Sequence, residues 1–195
     1  MKPHCPLSIA ALFLIAAALN TARADDFQPD AGYVSLFNGK DLTGWAYRMN
    51  GQTNSFDGKA ESSDARYSAD NGILIVHPRT PRELKQLSTT REFPKDFNLK
   101  LEFRAAVNAD SGLFIREPQL QVRDYLVAGP YKDLKKYKPQ DWNQIEVTVR
   151  GGVAHCVCNG EVLEEALRIP VTGPIGLEAD RGQMEYRHIQ IQELP

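Results

Sequence analysis

Cysteine is scarce in this chain. There are three in 195 residues, and Cys5 precedes the long apolar run near the N-terminus. The other two, Cys156 and Cys158, flank Val157 and on a strand would share a face. A bond between them would close a very small, strained ring, so two buried, small apolar thiols are expected. Two thiols are also too few ligands for a metal centre. A basic excess is missing as well. The formal net charge is −2, which argues against a general nucleic-acid binder. After Leu19 no apolar stretch is long enough to span a bilayer, so no stable membrane anchor is expected. No long 3.6-residue apolar period appears either, which leaves little support for a helical fold.

What is present begins with "MKPHCPLSIAALFLIAAALNTARA". Lys2 supplies a basic start, Leu7 to Leu19 an apolar run, and Ala22-Arg23-Ala24 a small-x-small cleavage site. These features read as a secretory signal peptide over 1–24, followed by one domain over 25–195. The signal carries Lys2 and Arg23 and no acids, so its removal takes the charge from −2 to −4. The expected location is periplasmic or secreted.

The rest is dominated by short alternating or apolar runs between turn residues. Strands are expected near Tyr33–Phe37, Tyr67–Ala69, Ile73–Val76, Leu84–Thr89, Asn98–Ala106, Gly112–Arg116, Gln119–Asp124, Gln144–Arg150, Val153–Cys158, Glu161–Ala166, Ile175–Glu178 and Met184–Gln192. Many short strands at this spacing indicate an antiparallel β-sandwich or barrel. Ala46 to Arg66 and Leu126 to Asp141 read as two long polar connections, functional or disordered. Asn159-Gly160 is a strong hairpin signal and would set His155 opposite Glu164.

In "SGLFIREPQLQVRDY" (111–125) a turn at Glu117-Pro118 pairs Arg116 with Gln119, Phe114 with Gln121 and Gly112 with Arg123. Ile115 and Leu113 then meet Leu120 and Val122, so one face is wholly apolar. Gly112 leaves open space beside Arg123. The preceding run "NLKLEFRA" alternates in the same way. Three consecutive strands could therefore present Glu102, Arg104, Phe114, Arg116, Gln119, Gln121 and Arg123 on one shared polar surface. Trp45 and Trp142 are expected in the core.

The motif order "GYVSLFNGKDLTGW" (32–45), "DNGILIV" (70–76), "LSTTREFPKDFNLKLEFR" (87–104), "DSGLFIR" (110–116), "LQVRD" (120–124), "DWNQIEVTVRGG" (141–152), "CNGEVL" (158–163) and "GPIGLEADRGQMEYRHIQI" (173–191) resembles the secreted bacterial 3-keto-disaccharide hydrolase family. The resemblance implies an all-β fold, a concanavalin-like jelly roll with a concave ligand groove. It also implies a carbohydrate substrate, a glycoside oxidised to a ketone at C3. That ketone acidifies the C2 hydrogen. A base removes it, the C1 substituent leaves, and water adds back. A lectin-like module that binds sugar without cleaving it is the alternative.

Carried onto this sequence, the resemblance gives Glu102, Arg116, Asp124 and Glu178 as catalytic candidates. Arg104, Gln119, Gln121, Arg123 and Arg181 are the substrate-binding candidates. Arg116 falls in the family's "SGxFxR" motif and Gln121 and Asp124 in its "Q…D" run. Asp124 is open to three roles, as base, loop cap or ligand of a divalent metal such as calcium. Glu102 and Arg104 could line the groove or form cross-strand ion pairs. The chain also departs from the family pattern. Many relatives carry glutamate at the position of Gln119, and "QxHG" where this chain reads "EADRG" (178–182). Glutamine cannot act as a general base. Glu178, Asp180 and Arg181 are the candidates to replace it, unless the activity is changed or absent.

Overall fold

The structure is a computed structural model and describes residues 27–195. The expected signal peptide lies outside these residues. Fourteen strands and no helix are found among them. Eight strands form one antiparallel sheet. In spatial order these are β12 (Glu161–Arg168), β11 (Val153–Cys158), β10 (Asn143–Arg150), β7 (Phe97–Ala105), β14 (Met184–Glu193), β5 (Ile73–Val76) and β4 (Tyr67–Asp70), with β1 (Val34–Ser35) also on β14. The other six form the second sheet, in the order β3 (Gln52–Ser55), β2 (Trp45–Met49), β6 (Lys85–Thr89), β13 (Ile175–Ala179), β8 (Asp110–Ile115) and β9 (Gln119–Arg123). The fold is the expected β-sandwich.

Alternation decides which side of each strand is buried. Along β7 every second residue, from Phe97 to Ala105, is buried and the intervening ones are partly exposed. Along β10 Asn143, Ile145, Val147 and Val149 point inward. These residues join Leu113, Ile115, Leu120, Val122 and Leu177 of the opposite sheet in a common core. Trp45 is fully buried there and its indole N–H donates to the Leu36 carbonyl at 2.8 Å. Cys156 and Cys158 are free and buried, and burial pushes both thiols up to about 12.

The Ala46 to Arg66 segment corrects the sequence expectation. It is not one long connection, because β2 and β3 pair across Asn50-Gly51. Both turn residues have positive φ, as they do at Asn159-Gly160, which is what a tight twisted hairpin requires. The β11–β12 hairpin starts in the expected register, Cys158 opposite Glu161. A bulge then sets Cys156, not His155, opposite Glu164. The Leu126 to Asp141 segment contains no strand.

Strand β7 lies in the eight-stranded sheet and β8 and β9 in the other. The shared polar surface expected from three consecutive strands therefore does not form. The β8–β9 register is also shifted by two residues. Phe114 faces Gln119, Leu113 faces Leu120 and Gly112 faces Gln121. A shift of two keeps each paired side chain on its expected face and changes its partners; Arg116, outside the ladder, is the exception.

Arg116 lies just beyond the last ladder pair. It leaves the ladder with φ 66° and turns its side chain into the protein. There its guanidinium donates to the carbonyls of Phe93 at 2.9 Å, Pro170 at 2.6 Å and Lys95 at 2.7 Å. Arg116 is 5% exposed and clamps the β6–β7 and β12–β13 loops; it is not a groove residue. Its rigid fork suits several carbonyls at once. Replacing it leaves those carbonyls without their donors. Arg116→Ala is expected to lower folding stability by about 3 kcal/mol, read from urea unfolding, and Arg116→Lys to recover less than half of that.

Candidate active site

The outward residues of β6, β13, β8 and β9 form a polar field on the six-stranded sheet. Register sets its layout. Glu178 on β13 faces Gln86 on β6, and Gly176 lies between Ser88 and Phe114. Two glycines leave space that glutamines fill. The Gln119 side chain lies over Gly112, and the Gln86 amide lies over Gly176, each where a Cβ would overlap it. Gln119 thereby crosses the whole width of β8 and donates from Nε2 to Glu178 Oε2 at 2.6 Å. Gln86 Nε2 donates to Ser88 Oγ at 3.2 Å.

Two further carboxylates flank Glu178, and each has cationic partners. Asp180 is 6% exposed and ion-paired to Arg82. The Asp180 backbone carbonyl is held by Arg66 Nη2 at 2.9 Å. Asp110 accepts from Gln121 Nε2 at 2.7 Å, pairs with Arg123 at 3.1 Å and faces Arg181 at 3.6 Å. Arg181 is itself anchored on Asn108, through its carbonyl at 3.0 Å and its Oδ1 at 3.1 Å. Glu178, in contrast, has the neutral Gln119 amide as its hydrogen-bond partner.

The electrostatic consequence is a carboxyl held above the usual glutamate range. Burial contributes most, and the neighbouring charge of Asp180 adds to it. The Gln119 hydrogen bond pulls the other way, Asp110 raises it further, and Arg82 lowers it. A raised value makes the ionised form a stronger base. The same shift costs stability at high pH: the contribution is present below the unfolded value and lost as pH rises through the folded one.

The scan of family models matches the chain over residues 32–192 to the 3-keto-alpha-glucoside-1,2-lyase-like domain. The chain belongs to that family. No curated protein sequence is similar enough to count as a relative. Among solved structures, a candidate glycosyl hydrolase from Parabacteroides distasonis aligns with TM-score 0.63 and 18% identity, over 84% of this chain and 95% of that one. The carbohydrate-binding module CBM66 of Bacillus subtilis aligns with TM-score 0.52 and 8% identity, over 79% and 98%. A Bacillus licheniformis β-glucanase aligns with TM-score 0.52 and 9% identity, over 83% and 97%. At these identities the likeness concerns the fold, a jelly-roll sandwich.

In this lyase-like domain the expected site residues separate into two groups. Glu178, Gln119, Gln121, Arg123 and Arg181 share the field just described. Glu102 and Arg104 do not, because β7 carries them on the outer face of the opposite sheet. Glu102 pairs with Arg187 at 2.6 Å and Arg104 with Glu185, each directly across β14. Trp142 is not in the core either. Its ring is approached by the guanidinium groups of Arg104 and Arg187, 4.7 and 4.0 Å from the centroid. Asp124 is 3% exposed and caps loops. Its carboxylate accepts from the Asn108 amide at 2.9 Å, and from Tyr137 and Gln140 at 3.3 Å each. Among the described residues no group of three His, Cys, Asp or Glu is placed to hold a metal ion.

Three contributors were missed. Asp110 stood in a quoted motif, and alternation in "KQLST" could have placed Gln86 outward. Arg82 lies in a loop with no pattern to find it by. The role of Gly112 is testable. Its φ is not in the left-handed region, so Gly112→Ala should fold with stability within about 1 kcal/mol of wild type. The added methyl displaces Gln119, Glu178 loses its donor, and the Glu178 pKa measured by carboxyl NMR is expected to rise further.

Proposed function

We propose that this protein cleaves 3-keto-glycosides by elimination and rehydration, with Glu178 as the base. Membership of the lyase-like family and a basic, amide-held carboxyl on the outer face of the six-stranded sheet support the reading. Glu178 takes the C2 proton, and the electron pair moves onto the C3 oxygen as an enolate. The enolate expels the C1 substituent, which leaves with the electron pair of its C–O bond. Water then adds at C1 and a proton returns to C2, giving net hydrolysis. Arg82, whose charge acts on Glu178, stabilises the developing oxyanion together with the Gln86 amide. Gln119 holds Glu178 in place.

Glu178→Gln is expected to lower kcat/KM on a 3-keto-glucoside by at least about 100-fold without loss of folding. Wild-type kcat/KM should fall on the acid side with an apparent pKa above that of free glutamate, because only the ionised base works. Wild-type activity without that acid limb, or undiminished turnover by Glu178→Gln, removes Glu178 as the base. Binding of unmodified sugars with no product from any 3-keto-glycoside favours the lectin-like alternative.

The N-terminal leader directs the protein out of the cytoplasm, to the periplasm or the medium. N-terminal sequencing of protein from the exported fraction is expected to begin at Asp25.

A further inference from the structure

Strands β2 and β6 pair at Trp45–Thr89 and Ala46–Ser88 and then part, although β2 runs on to Met49 and β6 starts at Lys85. Beyond Ala46, β2 stays with β3, out to Met49–Gln52. The splayed strands open a cavity of about 300 Å³ lined by Tyr47, Arg48, Met49, Leu84, Lys85 and Gln86 among others. Gln86 is also the cross-strand partner of Glu178. Because Gln86 itself lines the cavity, the cavity meets the Glu178 field there.

The charged groups around this cavity are ion-paired, although Arg48 Nε is buried without a hydrogen-bond partner. Arg48 pairs with Glu92 at 2.9 Å and donates to the Thr90 carbonyl at 2.8 Å. Lys85 pairs with Asp64 at 3.4 Å and sits 4.7 Å from the Tyr47 ring centroid. Glu83 pairs with Arg79 at 3.3 Å. The exposed apolar part of the lining is Leu84, 60% exposed, and Met49, 56%.

We propose that this cavity receives the leaving-group half of the substrate and that this half is an aryl group. The proposal rests on the reading of Glu178 as base and adds the substrate class. A flat apolar ring covers Leu84 and Met49, and the flexible thioether of Met49 adapts to it. A second sugar would bring several hydroxyls to a wall whose charged groups are mostly engaged with one another, and would find few partners to replace the water it loses. An aryl oxygen also departs more readily with its electron pair, because the ring delocalises the charge.

The test compares kcat/KM of the exported full-length domain on 3-keto-glucosides bearing phenyl, methyl or glucosyl at C1. Phenyl is expected to exceed the other two by about tenfold or more, the scale of modest apolar pocket contacts. Leu84→Ala and Met49→Ala should each narrow that ratio, while Val171→Ser, at an exposed loop position, leaves it as in wild type. Binding of unoxidised phenyl glucoside, followed by the Met49 methyl NMR signal, supplies a readout independent of turnover. Equal efficiency on all three substrates, with no response of Met49, overturns the proposal. A Met49 response with no cleavage of any 3-keto-glycoside keeps the cavity and rejects the function. Cleavage with a preference that Leu84→Ala leaves intact places the aryl group elsewhere and also overturns it.

Discussion

The inner faces of the two sheets are sealed against each other. Phe97, Leu99, Leu101 and Phe103 from one side and Leu113, Ile115, Leu120 and Val122 from the other share one core, each no more than 1% exposed. Any polar group offered to a ligand must therefore stand on an outer face, and there are two such faces, on opposite sides of the sandwich. Which sheet a strand joins decides what its outward residues can work with. The β7–β8 crossing is the point where this matters most. It separates Glu102 and Arg104 from the Glu178 field by the thickness of the core.

On the six-stranded sheet, absence of side chains does as much as their presence. Gly112 and Gly176 are flat places across which Gln119 and Gln86 lie. Without the gap at Gly112, the amide of β9 could not reach the carboxyl of β13, because β8 stands between them. The outcome is a glutamate desolvated enough to be basic, yet held by a neutral donor. Its acidic neighbours Asp110 and Asp180 are committed to arginines. Charge is concentrated around Glu178 while Glu178 itself stays free of a direct cationic partner at hydrogen-bond distance among the described residues.

The opposite outer face contrasts with this. Arg104, Glu185, Arg187 and Glu102 pair across β7 and β14, and both arginines lie against the Trp142 ring. Each polar group there is satisfied by another of the chain's own. Those four side chains are engaged with one another, whereas the Glu178 field opens at Gln86 into the gap between β2 and β6.

Most of the sandwich was legible in the sequence because period-2 alternation and turn residues are local signals. Twelve expected strands formed, several within a residue or two of their predicted ends. The β2–β3 hairpin was missed although Asn50-Gly51 carried the same turn signal as Asn159-Gly160, because β3 is exposed throughout and has no apolar alternation. The polar faces of β8 and β9 were also fixed locally, which is why a two-residue error in register left them intact. What the sequence could not decide was non-local. Whether β7 lies beside β8 or across the core depends on the packing of the whole sheet. Arg116 reads as a surface donor until the carbonyls of Phe93, Lys95 and Pro170 are brought around it from distant parts of the chain. The raised pKa of Glu178 comes from its surroundings, and those arrive from β6, β8, β9 and a loop at Arg82. The residue types were written in the sequence; their desolvation and partners exist only once two sheets have closed on each other.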